Sequence, residues 1–593
     1  MICTSLFYYK YITKMKKTIS LFCFVIITVF GFAQTKSATD TTFLEGRYRI
    51  SFTDKKNSPY SINRPQEFLS QRAIDRRTKF NISITEQDIP VNPQYLSVVS
   101  DFGAVLCNSS KWFNSAVFFI ETELSMREIE KLSFVDKIEF VAPPIVYKKD
   151  ARQLVPQDTI TATPSIIKEC IDADGEPETI FTNLVKIYGR SCTQNDKLGT
   201  FRSHVNGHMG QDRIIAVVDA GFLHVDSAAV FQHLWNNNKI LLTRDMTGTE
   251  KFHDSTSIFQ TGGHGMMVLS LIGGFYPQKL VGTAPGASFI LLRSEEEETE
   301  HLVEEDNWVA AAELADSAGA DIISTSLGYS NFDAGSPSHT YSQMDGNTTR
   351  ITVGADIASS KGMLLINSAG NSGDEPWKYI TAPADADSVL TVGACKYNDK
   401  KTKFSSFGPT SDGRIKPDVM ALGLFPTIVV ANGEIKNASG GTSFSCPLVA
   451  GCCATLWEEF PDSSAQAIKR LIIRSGNRYN KPNNKYGHGT PSITKARCYC
   501  YGKKLYDFLS TKYKLDDYDT FFDQIWEQGK VIFLSEKYVF DVNTGLGETP
   551  SFIVKDNDFS GIELPDISEK GGKLIFYQSY KKTFAIKIQA KKQ

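Results

Sequence analysis

Between residues 213 and 394, apolar runs long enough for buried strands alternate with segments of helical periodicity, such as NWVAAAELADSAG (307–319). The apolar runs are RIIAVVDAG (213–221), ASFILLRS (287–294), ADIISTSLG (320–328), GMLLINSAGN (362–371) and DSVLTVGA (387–394). Strands that are apolar along their whole length and separated by helices are typical of a parallel sheet covered on both faces. The pattern predicts an α/β domain whose functional residues lie beyond the carboxyl ends of its strands.

The chain on either side of this region has different patterns. Residues 34–150 predict a small α+β unit, with strands at 46–52, 115–121 and 135–143 and helical spacing at 65–80 and 125–134. Residues 151–204 are polar and rich in Thr and Pro, as expected of an exposed linker. Residues 498–593 are rich in Tyr, Lys and Asp with short β-like runs, and predict a small, mostly β domain.

Length and composition indicate a soluble protein of more than one domain. The chain has 593 residues, of which 41% are hydrophobic and 22% charged, and this is a globular composition. The formal net charge is −3, and Lys and Arg are spread along the chain. Charge therefore gives no reason to expect a nucleic-acid partner.

The N-terminus predicts export. A basic stretch, Lys14-Met-Lys-Lys17, precedes the apolar run TISLFCFVIITVFGFA, which ends at Ala33. This is the pattern of a secretory signal peptide over residues 1–33, with Met15 as an alternative start. The run is short for a bilayer span and no stop-transfer charges follow it. We therefore expect a secreted protein (periplasmic, cell-surface or extracellular) with no stable membrane insertion after signal removal.

In an exported protein the cysteines can form disulfides, but the sequence predicts their pairing only in part. Of the 11 cysteines, Cys3 and Cys23 leave with the signal, and the odd number that remains cannot all pair. We expect Cys170 and Cys192 to form a disulfide, because both lie in a loop-like segment. No Cys/His group has the spacing of a zinc site, so no metal centre of that kind is predicted.

Four polar residues mark the strand ends and glycine-rich turns of the central region. Asp219 ends the run IIAVVDAGF, His264 begins the apolar run of GGHGMMVLSLIGG, Asn371 closes LLINSAGN, and Ser443 stands in SGGTSFSCP before another apolar run. The first three also have structural interpretations: Asp219 as a turn or helix-cap residue, His264 as a structural or surface histidine, and Asn371 as an Asx turn. Together the four supply a carboxylate, an imidazole, an amide donor and a hydroxyl, the groups needed to hydrolyse an amide through serine.

The stretch SGGTSFSCP offers other nucleophiles besides Ser443, namely Ser439, Ser445 and Cys446. The double glycine before Ser443 and the apolar run after it place this serine at a helix N-terminus, where unpaired N–H groups favour a developing anion. Cys446 is the main alternative, since thiols are better nucleophiles. No second base accompanies Cys446, and the structural interpretation is a small buried thiol.

These residues carry a family resemblance. The order Asp219, His264, Asn371, Ser443, with D-A-G, G-H-G, S-A-G-N and G-T-S-x-S-x-P around them, resembles the subtilisin-like serine proteases (subtilases). VGTAPGA (281–287), STSLG (324–328) and SSFGP…DGRIKPDV (405–419) match as well, and the resemblance covers about residues 205–497. It implies a three-layer catalytic domain with a parallel sheet, a triad of Asp219, His264 and Ser443, and Asn371 as the oxyanion donor.

The resemblance also implies roles for neighbouring segments. Residues 34–150 resemble the propeptide, which acts as an intramolecular inhibitor, and the partners implied are protein or peptide substrates. Backbone groups of Ser326, Leu327 and Gly328 are expected to bind an extended substrate, and Ser368, Ala369 and Gly370 to form a wall of its first pocket. Met266 and Phe444 depart from the family pattern, and both are apolar packing changes.

Calcium is left open by the resemblance, and no cofactor is required by the chemistry. The acidic segment SEEEETEHLVEED (294–306) lacks the Asp/Asn/Gly alternation of a calcium loop. We therefore expect a solvated charged loop leading into a helix, and we assign no metal site.

Two classes of function fit the sequence. The first is a secreted serine endopeptidase that forms an acyl-enzyme, and the second is a catalytically silent scaffold of the same fold that binds at a surface. The four catalytic positions are all present, which favours the enzyme.

Overall fold

The computed structural model describes residues 43–145, 152–155, 157–167, 177–248, 257–511, 513–514 and 516–527, with five two-residue strand fragments beyond them. The predicted signal peptide and Cys170 lie outside the described residues. The described residues from Glu45 onward form one compact unit. None of the helices so described has the length and apolarity that a bilayer crossing requires.

The N-terminal domain is a four-stranded antiparallel sheet with three α-helices. Its strands are β1 (Gly46–Phe52), β2 (Val105–Ser110), β3 (Ser115–Ile120) and β4 (Val135–Ala142), in the order β2-β3-β1-β4, and its helices are α1 (Gln71–Lys79), α2 (Pro93–Asp101) and α3 (Glu123–Ile129). The α+β prediction is confirmed. The sequence reading missed β2, because VLCNSS carries few of the residues that favour strands.

The central domain is built on a seven-stranded parallel sheet in the order β11-β10-β9-β8-β5-β7-β6, which confirms the predicted α/β class. Its strands are β5 (Ile214–Asp219), β6 (Ile240–Asp245), β7 (Ser288–Arg293), β8 (Ile322–Thr325), β9 (Leu364–Ser368), β10 (Leu390–Cys395) and β11 (Val419–Leu422). The two strands that the apolar pattern did not predict, β6 and β11, are the edges of the sheet.

Helices cover both faces of this sheet. They are α4 (Pro177–Tyr188), α5 (Cys192–Leu198), α6 (Thr200–Val205), α7 (Gln232–Asn236), α8 (His264–Gly273), α9 (Val303–Ala318), α10 (Arg350–Ser360), α11 (Thr442–Glu459) and α12 (Ala465–Arg474). Alternate residues of β5 point to opposite cores: Val217 packs with α8 and α11, and Val218 with α9 and α10. The buried helix α11 lies centrally and carries the SGGTSFSCP stretch at its start.

The segments flanking the central domain differ from their predictions. The predicted linker 151–204 contains α4, α5 and most of α6, because its apolar residues recur at helical spacing and bury Leu184, Tyr188 and Phe201. In the predicted mostly β domain 498–593, α13 (Ile493–Ser510) runs across the expected boundary, and α14 (Tyr518–Glu527) packs on it through Cys498 and Phe522. The β-like runs after residue 528 lie largely outside the described residues.

Candidate active site

Asp219 and His264 meet at the carboxyl edge of the sheet. Asp219 is the last residue of β5 and is fully buried, and His264 is the first residue of α8. His264 Nδ1 lies 2.7 Å from Asp219 Oδ1, which also accepts the Ala220 N–H at 2.8 Å. A carboxylate only accepts hydrogen bonds, so Nδ1 carries the hydrogen and Nε2 remains as the basic nitrogen.

Glycines allow this contact to form. Gly262 has φ +65°, and a Cβ there would lie 2.4 Å from Ala220 O. A Cβ on Gly221 would lie 2.4 Å from Thr261 O, and one on Gly265 would lie 2.2 Å from Gly221 O. Only glycine lets these two backbones approach so closely. The glycines of the D-A-G and G-G-H-G motifs therefore allow the end of β5 to pack directly against the start of α8.

Ser443 lies in the first turn of α11, where its backbone N–H has no intrahelical acceptor. The residue is 8% exposed, and its hydroxyl donates to Ser326 O at 3.2 Å. Ser326 Oγ in turn donates to Ser443 O at 2.9 Å. Ser443 O can accept this hydrogen bond because Pro447, four residues later, has no N–H to make the usual intrahelical one. Pro447 lies inside the helix, and Ser326 satisfies the carbonyl that it leaves unpaired.

The start of α11 also contacts both other site residues. The Phe444 ring packs against the His264 ring, with centroids 6.2 Å apart. Asn371 Oδ1 accepts the Thr442 N–H at 2.9 Å and the Thr442 hydroxyl at 3.0 Å. Because its oxygen is held on both sides, the exposed Asn371 side chain has its NH₂ group left as a donor. The structure thus brings all four predicted residues to one edge of the sheet.

The charges around His264 favour its protonated form. Burial alone lowers the pKa of His264, but the charge and hydrogen bond of Asp219 outweigh it, and Glu295 and Glu297 add to the effect. The net pKa lies above its ordinary value of 6.5. Burial also raises the pKa of Glu295 to about 7, although the Tyr329 hydroxyl donates to its Oε1 at 2.5 Å.

The predicted substrate-binding segments follow two paired strands. Ser326, Leu327 and Gly328 continue β8, and Ser368, Ala369 and Gly370 end or follow β9, with Thr325 opposite Asn367 in the register. Asn367 Nδ2 donates to Leu327 O at 3.0 Å and to Ser368 O at 2.9 Å, which joins the two segments. Gly328 is exposed and Ser326 contacts Ser443, so the first segment leads away from the candidate nucleophile.

The other candidate nucleophiles have structural roles or lie outside the site. Cys446 is fully buried, and its Sγ lies 3.3 Å from Thr325 O and 3.4 Å from Ile366 O, so its single S–H can donate to either. Burial raises the pKa of Cys446 to about 12, so the thiol stays protonated at neutral pH. Ser445 is buried and donates to Ala421 O at 3.1 Å, and Ser439 is exposed. Cys192 is a free thiol.

The acidic segment 294–306 leads into a helix, as the sequence predicted, but it is solvated only in part. Glu297 and Glu298 are exposed, whereas Glu304, Glu305 and Asp306, in the first turn of α9, are 1–2% exposed. The prediction was wrong for these three residues because other parts of the chain cover them. Arg49 of the N-terminal domain binds Asp306 at 2.8 Å, Arg47 binds Glu296, and His339 Nε2 lies 2.7 Å from Glu305 Oε1.

Known protein families match the N-terminal domain and the central domain separately. Residues 210–489 match the model of the subtilase family of S8 peptidases, and residues 47–155 match the Bacteroidota peptidase S8 propeptide domain. The chain contains a subtilase domain preceded by a peptidase S8 propeptide domain. The propeptide domain corresponds to the four-stranded N-terminal domain, and the subtilase domain to the seven-stranded sheet with its helices.

Named relatives are proteases. Serine protease AprX of Bacillus subtilis is 30% identical over 153 residues, which are 22% of this chain and 34% of that protein. Subtilisin DY of Bacillus licheniformis is 29% identical over 165 residues, 28% of this chain and 52% of that protein. Thermitase of Thermoactinomyces vulgaris is 25% identical over 293 residues, 48% of this chain and 89% of that protein. The chain therefore covers about a third to a half of the length of the first two relatives.

Sequence reasoning missed three residues at the subtilase site. Thr442 orients Asn371, Tyr329 binds Glu295, and Glu295 acts electrostatically on His264. Glu295 had a usable signal, because it follows β7 at the carboxyl edge where the other site residues were sought. Thr442 had none beyond its place in the G-T-S motif, and Tyr329 had none, since their partners lie 71 and 34 residues away in the chain.

Proposed function

We propose that this chain is a secreted serine endopeptidase, made as a precursor, that cleaves peptide bonds through Asp219, His264 and Ser443. The observation that carries the proposal is the hydrogen bond between buried Asp219 and His264 Nδ1, at the edge where α11 presents Ser443. The protease relatives of the subtilase domain support the same activity. Export is supported by the signal-peptide pattern of residues 1–33.

In this mechanism, Ser443 Oγ attacks the carbonyl carbon of the substrate amide. His264 Nε2 takes the hydroxyl proton, and buried Asp219 stabilises the imidazolium that forms. His264 then gives this proton to the leaving amine, so the C–N bond breaks and Ser443 is acylated. A water molecule, deprotonated by His264, hydrolyses the ester and restores the free hydroxyl. The 3.2 Å hydrogen bond of Ser443 to Ser326 O is exchanged for one to His264 when substrate binds, since a hydroxyl rotates freely.

The negative oxygen of each tetrahedral intermediate needs donors that are already in place. The Asn371 NH₂ group, oriented by Thr442, supplies one, and the unpaired backbone N–H of Ser443 at the start of α11 supplies another. Removing one such donor typically costs about 2.7–4 kcal/mol of transition-state stabilisation. Substrate lies along Ser326, Leu327 and Gly328, and its first side chain contacts Ser368, Ala369 and Gly370.

The propeptide domain acts as an intramolecular inhibitor in this proposal. The last residues of its match, which follow the four-stranded sheet, are held beside the site. His224 Nε2 donates to Arg152 O at 2.7 Å, and Val155 N donates to Asn432 O at 2.9 Å. The Arg152 guanidinium lies close to Gly263, where a Cβ would be 3.2 Å from its Nη2. Gly263 precedes His264, so this segment occupies space next to the catalytic base.

The test compares wild type with Ser443→Ala on an unfolded protein substrate, both secreted as the full chain. We expect Ser443→Ala to lower kcat by about 10⁶ and to keep its propeptide if maturation is autocatalytic. Ser439→Ala, an exposed serine in the same stretch, is the matched control and should behave as wild type. Equal activity of the wild-type and Ser443→Ala proteins would reject the proposal and favour the alternative, a catalytically silent scaffold.

A further inference from the structure

One buried hydroxyl beside the proposed substrate-binding segments has no hydrogen-bond partner among the residues that the structure describes. It belongs to Thr381, which is 4% exposed and whose Oγ1 is itself buried. A buried hydroxyl without a partner is costly, because the hydrogen bonds that it makes to water in the unfolded chain are lost. The proposed mechanism does not use Thr381, so this hydroxyl needs an explanation of its own.

The Thr381 side chain lies between the two segments that are proposed to hold substrate. A Cβ added to Gly328, in the segment 326–328, would lie 2.3 Å from Thr381 Oγ1. A Cβ added to Gly370, in the segment 368–370, would lie 3.1 Å from the same oxygen. Glycine at both positions leaves the space that this side chain occupies. The gap between the two segments therefore ends at Thr381.

The neighbours of Thr381 on both sides hold it in this place. Ala382 pairs with Tyr329, because the Tyr329 N–H donates to Ala382 O at 2.8 Å and the Ala382 N–H donates to Tyr329 O at 3.1 Å. On the other side, Ile380 packs with Ala369 in one buried cluster. Each neighbour is thus attached to one of the two chain segments that bound the gap. The backbone of Thr381 is fixed, so its hydroxyl stays at the base of the gap.

This base limits the size and the polarity of a side chain that enters the gap. In the proposed mechanism, that side chain belongs to the residue before the cleaved bond. A long or aromatic side chain collides with Thr381, and overpacking of this kind is unfavourable. A short hydroxyl or amide can hydrogen-bond to Thr381 Oγ1, which both donates and accepts. Thr381 and the six residues of the two segments are all uncharged, so a charged side chain would be buried there without a partner.

We propose that Thr381 determines the specificity of this site by selecting a short, uncharged polar side chain, that of serine or asparagine, before the cleaved bond. The bulk of Thr381 excludes long side chains, and its hydroxyl forms a hydrogen bond with the short polar one. This inference rests on the proposed function and adds the substrate class to it.

The experiment measures kcat/KM on peptides of one sequence that differ only in the residue before the cleaved bond: serine, asparagine, alanine or phenylalanine. The processed wild-type protein should prefer serine and asparagine to alanine, and should cleave the phenylalanine peptide most slowly. Thr381→Val keeps the size of the side chain and removes the hydroxyl. We expect it to lower the ratio of serine to alanine cleavage about 3- to 10-fold, the value of one neutral hydrogen bond.

Thr381→Gly removes both the hydroxyl and the bulk. We expect it to raise the ratio of phenylalanine to alanine cleavage at least about tenfold, because the pocket becomes deeper. Thr348→Val, at an exposed threonine outside the pocket, makes the same substitution as Thr381→Val and should keep the wild-type ratios. Each ratio compares two substrates of one protein, so it does not depend on how much of a variant folds.

Fluorophosphonate labelling of the same samples separates this inference from the proposed function. A wild-type protein that is neither labelled nor active on any peptide would refute the proposed function, and the inference with it. A labelled wild-type protein that cleaves the phenylalanine peptide best would overturn the role of Thr381 alone. Wild-type ratios in both Thr381→Val and Thr381→Gly would overturn it as well.

Discussion

At the scale of single residues, the proposed mechanism depends on the Asp219–His264 hydrogen bond. It fixes the imidazole with Nδ1 as donor and Nε2 as base, and the charge of Asp219 is the main influence that raises the pKa of His264. A protonated imidazole cannot accept the proton of Ser443. Activity should therefore be lost as the pH falls through a pKa above 6.5, the ordinary value for histidine.

Asp219→Asn tests this directly, because it keeps the size of the side chain and removes its charge. We expect kcat to fall by about 10⁴ and the acid limb of the kcat/KM profile to move to lower pH. Glu295 and Glu297 remain in both proteins, so the shift reports Asp219 alone. Asp226→Asn, an exposed aspartate nearby, is the control for the charge change. An acid limb at the same pH in Asp219→Asn and wild type would contradict the assignment.

At the scale of elements, the site depends on how the end of β5 meets the start of α8. The contact is made between backbones, at Gly221, Gly262 and Gly265, with Leu223 N donating to Gly262 O at 3.0 Å. Side chains at these positions would push Asp219 and His264 apart. In the proposed mechanism, the motif glycines thus affect catalysis through the distance between Asp219 and His264.

Gly262→Ala should separate this effect from simple backbone strain. Gly262 (φ +65°) meets Ala220 O, whereas the exposed Gly413 (φ +95°) has nothing within 4 Å of an added Cβ. Gly413→Ala should cost about 1–2 kcal/mol of stability for its left-handed backbone. Gly262→Ala should cost a further ~1–3 kcal/mol and lower kcat. Urea unfolding and kcat measured on both variants check this, and equal losses in the two would contradict it.

At the scale of the whole molecule, the propeptide domain is joined to the subtilase domain by buried ion pairs. Asp316 of α9 is fully buried and binds Arg76 and Arg77 of α1, at 2.6 and 2.7 Å. Glu313, one turn earlier, accepts hydrogen bonds from Ser110, Lys111 and Trp112. These charges are buried and paired only while the two domains are in contact, and removing one partner leaves the other buried without it.

Asp316→Ala leaves two buried guanidinium groups without this partner. In the full chain carrying Ser443→Ala, we expect it to lower the free energy of unfolding by about 3–5 kcal/mol. Asp462→Ala removes the exposed ion pair to Lys79 across the same interface, and should cost under about 1 kcal/mol. Urea unfolding midpoints measure both. Similar midpoints for the two variants would contradict a propeptide held by its buried charges.

The sequence predicted the inner strands of the sheet because each is an uninterrupted apolar run, as in IIAVVD. The sequence did not predict the edge strands β6 and β11, because ILLTRD is partly exposed and polar and VMAL is short. The motifs predicted which residues gather at the site, because the family order is specific. They could not predict that Ser326 pairs with the carbonyl that Pro447 frees, since that contact joins distant segments.

The acidic segment 294–306 shows the same limit. Its charge alone predicts that it is solvated. Its carboxylates are partly covered by the propeptide domain, whose Arg47 and Arg49 lie about 250 residues earlier in the chain. A charged run can be buried wherever a distant partner covers it. Composition and periodicity along one segment do not contain that information.

The most direct test of the account is to map where a fluorophosphonate probe binds covalently. The processed wild-type protein is labelled, digested and sequenced by mass spectrometry. The account predicts a single adduct, on Ser443, that is lost in His264→Ala because the hydroxyl is then no longer activated. An adduct on another residue, labelling that persists in Ser443→Ala, or no labelling of the processed protein would contradict it.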